Sequence, residues 1–186
     1  MSIFDNLNPS VSPAASSAKP EEGSFTFVFR ALPESVDEMK SLPEASLDTP
    51  YKTAALTVCA LCAYAVAPEI GKEMLNFLKG PAPLSPMEIS FLNDRFRDGK
   101  HVPFSYFAGA APQNNYTPSQ PFTVTVFSNP YSFQNEGWAT LHLNSGGADS
   151  PRQIKLRLKP SESKWYLSEQ MIMVGVHTPV KDDPWA

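Results

Sequence analysis

Charge and cysteine are both sparse in this chain. Only 18% of its 186 residues are Asp, Glu, Lys or Arg, and 15 basic residues stand against 19 acidic ones, a formal charge of −4. Proteins that coat nucleic acid carry a strong basic excess, so this balance argues against a nucleic-acid partner. Two cysteines, Cys59 and Cys62, cannot build a disulfide framework. The phosphate-cradling patterns GxxxxGK[ST] and GxGxxG are missing, as are GxSxG and HExxH. No long apolar run exists either. The uncharged apolar stretch from Thr53 to Ala67 would make a helix of roughly 22 Å against a hydrocarbon core of ~30 Å. It reads as a buried core helix, and no membrane partner is expected. The start, Met1-Ser2-Ile3-Phe4-Asp5-Asn6, has neither a basic n-region nor an apolar h-region, which predicts a cytoplasmic protein with reduced thiols.

Proline is abundant: 19 residues, about twice ordinary usage, which predicts many turns and sharply stopped elements. The length suits one domain with a real core. Residues 1–23 hold Pro9, Pro13 and Pro20 amid Ser, Ala and Asn without apolar periodicity, and read as a flexible tail before a single domain over 24–186. Phe25, Phe27 and Phe29 alternate with polar or smaller residues, a strand of period two. Ser35 and Glu38 have capping-box spacing and open a short helix that Pro43 stops. Thr49-Pro50 supplies an N-cap and a proline at the first helical position for the apolar helix. Pro68 starts the next helix, which Gly80 ends, and Ser85-Pro86-x-Glu88 starts a third that stops near Gly99.

Beyond the loop from Ala108 to Gln120 the period changes to two. Strands are predicted at 121–128, 137–144 and 152–159, then through Trp165-Tyr166-Leu167 and again over Met171 to His177. Short connections favour an antiparallel meander whose apolar face the helices cover. The predicted class is α+β, an N-terminal strand and about three helices on one face of a twisted antiparallel sheet, compatible with an NTF2-like or cystatin-like curl.

Candidate site residues fall in two places. The polar sheet face would carry Thr123, Thr125, Trp138, Thr140, His142, Lys155 and Arg157, in a locally basic region, whereas residues 1–50 hold eight acids and three bases. Such a face suits an acidic peptide or an anion. The loop from Tyr106 to Gln120 adds Tyr106, Asn114, Asn115 and Tyr116, a Tyr/Asn composition suited to recognition unless its aromatics fold back on the core. These residues point to a non-enzymatic module binding a protein or peptide. The alternative is a small-molecule-binding or hydrolytic domain with a pocket between helices and sheet, lined by Tyr106, His142, Asp149 and Arg152. A structural subunit of a cell-surface or phage-derived assembly is a third. Cys59-Ala60-Leu61-Cys62 lies inside an apolar helix, away from any helix N-terminus that would activate a thiol, and reads as core. With three scattered histidines (His101, His142, His177), neither a metal nor a cofactor is expected. Trp185, beside the terminal carboxylate, is expected to pack on the body.

The segments LNFLKGPAPLSP (75–86), DRF (94–96), SYFAGA (105–110), NNYTPS (114–119), NPYS (129–132), SGGADSPR (145–152), LRLKPS (156–161) and DPWA (183–186) together resemble a family of small proteins of gut Firmicutes known only as a domain of unknown function. The resemblance spans about residues 25 to 186. It implies a bacterial cytoplasmic protein and brings no activity, substrate or catalytic residue with it.

Overall fold

The computed structural model describes residues 19–186. Of the flexible tail read at 1–23, residues 1–18 therefore lie outside the described residues. From Lys19 the chain runs into β1 (Ser24–Phe29), then α1 (Val36–Ser41), α2 (Pro50–Val66), α3 (Pro68–Lys79) and α4 (Pro86–Asp98). The strands β2 (Phe122–Phe127), β3 (Trp138–Leu143), β4 (Arg152–Lys159) and β5 (Lys164–Gln170) follow. They form one antiparallel sheet in the order β1-β2-β3-β4-β5, the α+β arrangement expected.

Local chemistry sets the helix starts. The Glu38 amide donates to Ser35 Oγ at 3.1 Å, and the Lys52 amide to Thr49 Oγ1 at 3.4 Å. At Ser85 the capping box is complete: Glu88 N–H donates to Ser85 Oγ, and Ser85 N–H donates to Glu88 Oε2. Gly80, at φ 59°, ends α3 in a conformation that favours glycine.

The sheet curls around α2, which touches all five strands and is backed on its other side by α3. Fourteen of its seventeen residues are buried, so the helix has no wet stripe. Both cysteines lie inside it, and burial pushes both thiols up, the state of inert core cysteines. No helix of the described residues is long and apolar enough to cross a membrane. Inward-facing Phe25, Phe27 and Phe29 on β1 meet Val126, Val124 and Phe122 on β2. Ala139, Leu141, Leu143, Ile154, Leu156, Trp165 and Leu167 continue that apolar face. The curl brings the two edges of the sheet toward the start of α2. There Trp165 N–H donates to the Leu47 carbonyl (2.8 Å), Thr53 Oγ1 donates to the Trp165 carbonyl (2.6 Å), and Tyr51 donates to the Glu21 carbonyl (2.7 Å). At Trp165 the outer hydrogen-bonding groups of β5 are thereby taken, which blunts that end of the edge as a template for another strand.

Two expectations are corrected. Met171 to His177 is not a strand. Its carbonyls are taken by side chains: Ile172 by the Tyr106 hydroxyl (2.6 Å), Val174 and Gly175 by Arg152 Nε and Nη2 (2.9 and 2.6 Å), His177 by the Tyr116 hydroxyl (2.6 Å). Gly175, at φ 68°, bends the path as well. The segment is a strap held across the sheet end. Its apolar residues serve burial without a ladder or an alternation: the adjacent Ile172 and Met173 are both buried. Trp185 does not pack on the body either. It is 93% exposed, because the turn at Val180–Asp182 and a bond from its amide to Asp183 Oδ1 direct it outward.

Arg152→Ala should release the strap. It removes the donors to Val174 and Gly175 and the bonds to the Ser150 carbonyl and hydroxyl. Hydrogen exchange over 171–177 is expected to speed up at least tenfold while exchange in α2 stays unchanged. Uniform acceleration through the domain would show that the strap is not a separate unit.

Candidate functional site

A cleft of about 410 Å³ opens between α3, α4 and the end of β5. Leu61, Leu75, Leu84, Leu92 and Leu167 wall it, and Val174 of the strap closes one side. Met87, Phe91 and Met171 stand on its rim at 81%, 38% and 41% exposure. Such side chains gain nothing from water, and three of them cluster at this one opening.

Its one buried charge is Lys79. The side chain is 6% exposed, and its Nζ donates to Glu88 Oε1 at 2.7 Å and to the Ser168 carbonyl at 3.1 Å. The Ser168 carbonyl is available because β5 bulges there. Leu156 pairs with Leu167 and Lys155 with Glu169, which leaves Ser168 without a partner on β4. Glu88 holds the ammonium with one oxygen and the Ser85 amide with the other, so it serves the cleft and the α4 N-cap together. Burial pushes the Glu88 carboxyl up, but the bonds from Lys79 and Ser85 outweigh it and hold it below its ordinary value.

The residues singled out in the sequence lie elsewhere. Tyr106 and Tyr116 are buried at 4% and 2%, their hydroxyls spent on the strap. Asn114 is the loop's internal clamp. Its Oδ1 accepts the amides of Ala111 and Thr117, and its Nδ2 donates to the carbonyls of Gly109 and Thr117. Asn115, at φ 56°, remains exposed. The aromatics of this loop thus fold back on the core. Phe107 and Ala108 also lie against β2 where β3 has splayed away, since β2 and β3 share only the pair Phe127–His142.

Nor do Tyr106, His142, Asp149 and Arg152 line a common pocket. Tyr106 and Arg152 grip the strap, and Asp149 faces His177 at 3.3 Å on the surface. His142 alternates with inward Leu141 and Leu143 and so points to the outer face. There it is covered by Phe127, Asn129 and Gln153. Asn129 Oδ1 already accepts the Tyr131 amide, which turns Asn129 Nδ2 toward His142 Nε2. Two amide nitrogens, Asn129 Nδ2 and Gln153 Nε2, face Nε2, an arrangement that suits an accepting Nε2, and Nδ1 is buried without a partner among the described residues. Burial lowers the His142 pKa, so the ring is neutral. On the same face Trp138 is 40% exposed, with the Arg157 guanidinium 5.0 Å from its ring.

Lys79 and Glu88 were invisible as a site in the sequence because each already had a local explanation. A lysine in the last turn of a helix answers the macrodipole, and a glutamate three residues after Ser85 completes a capping box. Among the described residues no group of three or more His, Cys, Asp or Glu side chains is placed to hold a metal ion. A buried ammonium salt-bridged to a half-exposed carboxylate beside an apolar cleft makes a binding geometry, with no activated nucleophile in it.

No curated protein and no solved structure matches the chain. The family described as domain of unknown function DUF6935 matches residues 31–180, which contain every element from α1 to β5, the strap and the whole cleft, and the chain belongs to that family.

Proposed function

We propose that this chain is a non-enzymatic binding module of the bacterial cytoplasm, in proteins of the gut Firmicutes kind that its segments resemble, and that the cleft between α3, α4 and β5 is where it binds. One observation carries the reading: three exposed large apolar side chains, Met87, Phe91 and Met171, ring a cleft of ligand size whose buried charge is already neutralised. The location agrees with a pocket between helices and sheet, although its lining is a different set of residues from those named in the sequence. The test is a titration of the ¹⁵N-labelled protein with small apolar amides. Shifts confined to Leu167–Met171 and α4, abolished by Met87→Glu with Phe91→Glu, are expected. Shifts scattered over the surface, or unaffected by that double substitution, would remove the cleft from consideration.

A second reading, an acidic peptide of a partner protein on the outer sheet face, is favoured by Trp138 standing exposed with the Arg157 guanidinium over its ring. Its contact set is Trp138 and Arg157; Asn115 lies apart from them, beside His101, Pro179 and Lys181. Loss of partner capture by Trp138→Ala with Arg157→Glu, at unchanged Tm, supports it; undiminished capture ends it.

A further inference from the structure

The charge arrangement at the cleft floor selects what the cleft can take, an inference that rests on the reading of the cleft as the binding site. An ammonium has three N–H donors. Lys79 directs one to Glu88 and one to the Ser168 carbonyl, and among the described residues the third has no acceptor, although the side chain lines the cleft and is 6% exposed. The floor therefore offers one donor. It does not offer net charge, because the Glu88 carboxylate lies 2.7 Å from the same nitrogen, and the other acid lining the cleft, Glu169, is paired with Lys155 at 3.1 Å.

An incoming carboxylate on Lys79 Nζ would have part of its attraction offset by the Glu88 carboxylate on the same nitrogen, while losing its water to leucine walls. An incoming ammonium faces the same kind of offset and also a donor where it needs an acceptor. A neutral carbonyl loses far less hydration and satisfies the spare N–H. The walls take the rest: Leu61, Leu75, Leu92 and Leu167 present no polar group, and Met87 and Met171 adapt their unbranched side chains to the shape of what enters.

We infer that the cleft binds a small neutral molecule with an aliphatic or aromatic body and a single hydrogen-bond acceptor of the amide or ester type, its carbonyl oxygen on Lys79 Nζ and its body between α4 and β5. Fatty acids, their ammonium counterparts and phosphorylated compounds are discriminated against by the internal neutrality of the Lys79–Glu88 pair.

Octanamide, octanoate and octylammonium share one body and differ in head group, so they separate the two claims. Each is titrated into the full chain below its micelle concentration, with the amides of Leu167, Ser168 and Met171 as readout. Octanamide is expected to bind at least tenfold more tightly than either charged probe, and Lys79→Met to weaken octanamide about tenfold, to weaken octanoate further and to strengthen octylammonium, because Glu88 then lacks its partner. Equal binding of all three would place the head group in water. The head-group inference then fails while the cleft reading stands. Tighter binding of octanoate would mean that the ion pair opens, and also overturns the inference. If no probe moves the cleft amides, the cleft reading itself falls.

Discussion

Gly71→Ala is expected to destabilise the domain by at least ~3 kcal/mol, the upper end of overpacking costs, and to lower Tm by roughly 6–12 °C. Gly71 lies in the first turn of α3, where the chain reverses over Ala67 and the two longest-packed helices meet. A Cβ on Gly71 would come within 2.4 Å of Tyr64 Cα and 2.5 Å of its backbone nitrogen. These are main-chain atoms of the most buried helix, so no rotamer change relieves the overlap. α3 would have to lift from α2, and Tyr64 is itself held, stacked on Phe96 at 4.8 Å and donating to Asn93 Oδ1 at 2.5 Å. Urea denaturation checks the value. A loss below 1 kcal/mol would mean that the helix pair slides freely, contrary to the packing described.

The second large effect is an asymmetry. Glu88→Gln is expected to cost about 3 kcal/mol and Lys79→Met less than about 1 kcal/mol. Removing the carboxylate's charge leaves an ammonium that is 6% exposed and bonded only to a carbonyl. Removing the ammonium leaves a carboxylate whose side chain is 40% exposed and can turn to water, while methionine fills the lysine's apolar path. Glutamine keeps an acceptor for the Ser85 amide, so the difference reports the ion pair and not the cap. Equal losses in chemical denaturation would contradict it. The same pair sets a pH response. Because the folded Glu88 pKa is below its ordinary value of 4.5, its contribution is complete above that value and lost as pH falls through the lower, folded one. In Glu88→Gln that acid loss should be absent.

Much of the fold was legible because its signals are local. Ser35, and Thr49 and Ser85 with the prolines after them, marked helix starts, Gly80 marked an end, and the 152–159 alternation matched β4 residue for residue. The reading of Met171–His177 as a strand failed for an identifiable reason. Apolar residues report a need for burial, not what the carbonyls bond to, and here Tyr106, Tyr116 and Arg152 reach them first. The same three residues were singled out as recognition or pocket residues, since Tyr and Arg look alike in sequence whether they face a partner or a backbone. Trp185 misled in the other direction: its apolar area argued for packing, and a two-residue turn left it in water.

By itself the sequence determined where helices begin and end, which strand positions are apolar, and that the apolar stretch from Thr53 makes a buried core helix. Those properties depend on neighbours within about four residues, through capping bonds, proline's fixed φ and side-chain period. The tertiary structure alone decided that Lys79, Glu88 and Ser168 meet. An ammonium from the end of one helix, a carboxylate from the cap of another and a bulged carbonyl of an edge strand have no sequence spacing in common. They come together only because the sheet curls around α2 and carries the end of β5 under α3 and α4.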